Sequence, residues 1–84
     1  MVTISIEITK ARRELGKIQK NAKFFTSHYR QLRAQKSNLA QPYKVMAKYA
    51  LAHVRSLKRY IKALEDLQKR IDEVHLRIAK LSGN

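Results

Sequence analysis

The side chains able to do chemistry are few and poorly placed to do it together. His28, His53 and His75 are the only histidines, there is no cysteine, and the six acids are Glu7, Glu14, Glu65, Asp66, Asp72 and Glu73. Metal centres usually need three or four ligands. His28 and His53 could approach each other in a folded-back chain, but no Asp or Glu lies between Leu15 and Leu64 to complete a set. No glycine-rich phosphate loop and no nucleophile motif is present. The paired acids Glu65-Asp66 and Asp72-Glu73 sit among bases that would engage them in salt bridges. An enzyme, a resident metal and a cofactor are therefore not expected.

What remains is charge. Nineteen Lys and Arg against six Asp and Glu leave the 84 residues with a formal charge of +13. The acid-free stretch from Leu15 to Leu64 holds twelve bases: Lys17, Lys20, Lys23, Arg30, Arg33, Lys36, Lys44, Lys48, Arg55, Lys58, Arg59 and Lys62. The seven bases elsewhere nearly balance the six acids. A surface that only had to stay dissolved could mix its signs and avoid self-repulsion, so a one-signed stretch calls for a counter-charge. Nucleic acid is the commonest partner of such a patch, held through its phosphates with little sequence preference. Phe24 and Tyr49 are off-seam aromatics that could stack on unpaired bases or pack at an interface between copies. Asn38, Gln35, Gln41 and His28 add hydrogen-bonding groups near the middle of the chain.

Elements that could carry this charge follow from hydrophobic spacing. From Tyr43 to Leu81, one line seven residues apart holds Tyr43, Ala50, Leu57, Leu64, Ile71 and Ile78. A second holds Met46, His53, Tyr60, Leu67, Val74 and Leu81, a coiled-coil seam in which His53 is the polar interruption that fixes register. Val54 and Ile61 widen the stripe. Such a helix would run about 58 Å at ~1.5 Å per residue. Pro42 suits its first turn and Gly83 its end. In the first half, Ile8, Leu15, Ala22 and Tyr29 form one line and Ile4, Ala11, Ile18, Phe25, Leu32 and Leu39 the other, with Lys36 breaking the pattern. The loop-like stretch Ser37–Pro42 separates the halves.

These lines predict an all-α fold: a single domain over residues 1–84, with helix 1 at about 3–37, a turn at 38–42 and helix 2 at about 43–81. Folded back antiparallel, the helices should bring Leu15 near Leu67, Ile18 near Leu64, Phe25 near Leu57 and Ala22 opposite Tyr60. A two-helix hairpin buries only one side of each helix, so a homodimer forming a four-helix bundle is expected.

Residues 2–8 leave an alternative open. Val2-Thr3-Ile4-Ser5-Ile6-Glu7-Ile8 alternates and is mostly β-branched, as a strand would be. Matching the lengths of the two halves favours helix instead. As strand followed by helix, roughly residues 2–35 resemble ribbon-helix-helix repressors, in which a dimeric strand pair reads the major groove. The chain departs from that family in lacking the usual Gly turn between its helices, in an apolar spacing off by one, and in Glu7, which would face DNA.

The function expected from these residues is non-catalytic binding of DNA or RNA by a basic helical surface. Its contacts are Lys17, Lys20, Lys23, Arg30, Arg33, Lys44, Lys48, Arg55, Lys58, Arg59 and Lys62. The alternative is a structural or adaptor coiled-coil subunit of a larger assembly, such as a virion or secretion apparatus, docking on an acidic protein. Anionic membrane surfaces are a third partner class, disfavoured by a narrow apolar seam without Trp. Charge-free runs such as Ser37–Tyr43 are far short of the roughly 20 apolar residues of a membrane span, and no secretory signal is evident. An intracellular or virion-associated location is the corresponding expectation.

Overall fold

The computed structural model describes residues 3–83 and consists of two helices, α1 (Thr3–Ala34) and α2 (Ala40–Ser82). They pack antiparallel into a thin rod of 73 × 15 × 13 Å. The fold is an extended all-α hairpin, and among the described residues there is no strand. No helix of the described residues is long and apolar enough to cross a membrane.

The strand alternative fails at residues 3–8, and the ribbon-helix-helix resemblance fails with it; residue 2 lies outside the described residues. Ile4 and Ile8 are half-buried on the seam while Ile6 is exposed, a helical pattern. Thr9 Oγ1 donates to the Ser5 carbonyl at 3.0 Å, so its hydroxyl is satisfied inside the helix. Packing of the two seam isoleucines against α2 overrides the local β preference.

The turn lies three residues earlier than expected, at 35–39 rather than 38–42. Its cause is a Schellman-type ending of α1. Lys36 adopts the left-handed conformation (φ 54°), its N–H donates to the Arg33 carbonyl at 3.0 Å, and the Ser37 N–H donates to the Leu32 carbonyl at 2.9 Å. Ser37 Oγ then accepts from the Leu39 N–H at 3.1 Å, which starts α2 at Ala40 and leaves Pro42 inside the first turn. Leu39, expected on the seam, is exposed at the start of α2.

Moving the turn slides the register. Arg12 forms an ion pair with Glu65, where the expected pairing placed residue 70. Ala22 shares a groove with Val54, not Tyr60. The seam of α1 is as the spacing indicates, with Ala11, Ile18 and Ala22 buried and Leu15, Phe25, Tyr29 and Leu32 half-buried. On α2 one of the two expected lines is wrong. Ala47, Val54 and Ile61 are buried, the last two only 8% and 7% exposed, whereas Tyr60 and Leu67 are each 46% exposed. Tyr43, Ala50, Leu57, Leu64 and Ile71 complete the seam. Choosing the Val54 line keeps His53 in solvent, where its ring needs no internal partner. His53 is therefore no seam residue.

Candidate nucleic-acid interface

All eleven candidate contacts are exposed: Lys17, Lys20, Lys23, Arg30 and Arg33 on α1, and Lys44, Lys48, Arg55, Lys58, Arg59 and Lys62 on α2. None of them forms an ion pair among the described residues; the Arg12–Glu65 pair lies outside the acid-free stretch. Their charge is left to solvent and to whatever partner supplies anions.

Three contacts orient the two long flanks of the rod. Arg12 meets Glu65, and Lys23, Thr26 and Arg30 share a groove with Leu51 and Val54. His28 meets Tyr43 on the other flank, with ring centroids 5.0 Å apart. Helical periodicity then puts Lys23, Arg30 and Arg33 of α1 on the same flank as Lys44, Lys48, Arg55, Lys58 and Lys62 of α2. Lys17, Lys20 and Arg59 stand on the outer backs of the helices. Most of the candidate contacts thus converge on one flank, which the linear sequence does not show.

At the centre of this flank runs the shallow groove with Ala22 and Val54 as its floor, Lys23 and Arg30 on one wall and Leu51 on the other. Thr26 and Ser27 offer hydroxyls there. The groove is open rather than enclosed. Thr26 and Leu51 were not among the candidates from sequence. Leu51 is apolar yet belongs to neither heptad line, and that was the available signal.

The opposite flank carries Met46, His53, Tyr60, Leu67 and Val74 from α2, with Glu7, Glu14, Asn21 and His28 from α1. His28 does not pair with His53. Its ring packs against Phe24, with centroids 4.6 Å apart, and against Tyr43. Phe25 joins the cluster edge-on to Phe24 at 5.5 Å. Phe24 remains half-exposed on the α1 back and Tyr49 is the more exposed of the two off-seam aromatics. Among the described residues no three His, Asp or Glu side chains come together as a metal site.

Comparison with protein families, curated proteins and solved structures gives no match. The functional reading rests on geometry and charge.

Proposed function

We propose that the protein binds nucleic acid without catalysis, through the basic flank of the turn half, and acts as a homodimer. The observation that carries this reading is the convergence of Lys23, Arg30, Arg33, Lys44, Lys48, Arg55, Lys58 and Lys62 on one flank with no acid from Leu15 to Leu64. Long flexible bases on a straight rod neutralise phosphates and release counterions, giving affinity that depends on salt far more than on sequence. The exposed apolar side chains Met46, Tyr60, Leu67 and Val74 on the other flank support association of copies away from the basic surface.

Titration of fluorescent single- and double-stranded DNA and RNA at several salt concentrations tests this. The expected result is a log–log slope of several units, since each phosphate contact adds roughly 0.7–0.9. Absence of binding to all four probes near ~50 mM salt would overturn it.

A second reading has one observation in its favour. Leu51 is exposed among the bases of the groove, and an apolar side chain there would serve an acidic protein surface better than a phosphate chain. In that reading the chain is an adaptor or structural subunit. Nucleic acid co-purifying with the protein, seen in the ratio of absorbance at 260 and 280 nm, separates the two.

A further inference from the structure

We infer that Phe24 is a stacking platform for an unpaired nucleobase, which makes single-stranded DNA or RNA the preferred ligand over duplex. This rests on the phosphate-binding reading above and adds to it the form of nucleic acid that the chain selects.

Phe24 ends a run of rings that crosses from α1 to α2. Its ring lies against His28, with centroids 4.6 Å apart and planes 31° from parallel, and His28 lies against Tyr43 at 5.0 Å and 33°. Phe25, half-buried on the seam, meets Phe24 edge-on at 5.5 Å. Two neighbours therefore hold the ring in one orientation before any ligand arrives, and it is still 52% exposed. His28 and Phe25 both follow Phe24 in α1, and helical side chains lean towards the N-terminus. The open part of the ring accordingly looks towards Lys20 and Asn21, one turn earlier. Tyr49 is more exposed, at 73%, but meets no ring among the described residues and lacks this bracing.

The charge around the ring suits a nucleic-acid strand better than a second apolar surface. Counted in helical turns, Lys17, Lys20 and Gln31 share the outer face of α1 with Phe24. Both lysines are exposed and form no ion pair among the described residues. They are also the two α1 candidates that the basic flank leaves out, so one face holds those bases and the off-seam ring together. Lys20 stands about 6 Å and Lys17 about 10 Å along the axis from Phe24, so phosphates leading away from a stacked base pass over both ammonium groups. A base offers its face to a protein ring only when it is unpaired and unstacked; in a duplex both faces are covered by its neighbours. Such a contact is worth about ten-fold in affinity and tolerates any sequence. An apolar partner covering Phe24 would instead bury two unpaired ammonium groups beside it, at a cost in desolvation.

The chain has no tryptophan, so Phe24→Trp places a single fluorophore at the platform. Its emission should be quenched by a single-stranded oligothymidine. A duplex of the same length, or the same strand with abasic sites in place of its bases, should leave it unchanged. Phe24→Leu keeps an apolar side chain but removes the π-face. In fluorescence anisotropy it should weaken the single strand about ten-fold, leave duplex affinity unchanged and keep the salt slope, because no phosphate contact is lost. Equal quenching by abasic and intact strands would overturn the inference, as would an equal loss for both probes in Phe24→Leu or no loss at all. So would a change in the sedimenting mass of the free protein on Phe24→Leu, which would make the ring a contact between copies. Equal affinity of the unsubstituted protein for single strand and duplex would overturn this inference and leave the phosphate reading standing. Absence of binding to every probe would remove both.

Discussion

The two ends of this rod are built from the same pair of helices and differ in what those helices leave unsatisfied. Around the turn, α1 and α2 cover each other's apolar seam, and the unmet demand is electrostatic: twelve bases and no acid between Leu15 and Leu64. At the far end the charges are mixed and the Arg12–Glu65 pair shows them answering one another. There the exposed groups include apolar ones, with Val74, Ile78 and Leu81 in solvent.

The largest effect should come from moving charge between the two ends. Arg55→Glu with Lys62→Glu should lower the log–log salt slope of nucleic-acid binding by about 1.5 and remove most of the affinity, each lost contact being worth roughly 0.7–0.9 of slope. Lys10→Glu with Lys69→Glu makes the same change in net charge outside the acid-free stretch and should leave most of the binding in place. Equal losses from both pairs, measured by fluorescence anisotropy, would reduce the basic flank to a general charge effect.

Packing provides the next contrast. Ile61→Ala removes a seam residue buried under α1 and should cost about 2–4 kcal/mol in urea unfolding, enough to threaten the hairpin. Leu76→Ala, on the uncovered back of α2, should change stability by less than about 0.5 kcal/mol. Similar costs at the two positions would show that Ile61 is not buried between the helices as the seam requires.

The smallest effects concern the backbone, at the turn and inside α1. Lys36 holds a left-handed conformation that glycine adopts freely, while Gly16 sits inside α1 with open space around the site of a Cβ. Lys36→Gly and Gly16→Ala should each raise stability by about 0.5–1 kcal/mol in thermal melts. A loss at Lys36→Gly would mean that the turn is held by something other than its αL ending.

Much of this was legible in the order of residues. Apolar residues every three and four positions admit only long helices, and a short break between two of them admits little but an antiparallel hairpin. The α1 seam from Ile4 to Leu32 and the acid-free stretch are direct properties of the chain, because helical period and charge do not depend on what lies far away. The α2 seam was not legible in the same way. Three adjacent lines on that helix are apolar enough to serve, and one of the two longest, through Met46 and Leu67, was the wrong choice. Ala47, Val54 and Ile61 lie underneath because α1 meets them at the height set by the turn.

That height was itself settled locally but invisibly, by a lysine in a left-handed conformation and a serine hydroxyl accepting from Leu39. Residues 3–8 show the same division: their types favour strand, and packing against α2 makes them helix. Hydrophobic period and charge are local and can be counted along a chain. Register and flank depend on which surfaces meet, and a shift of three residues in one turn moves both together.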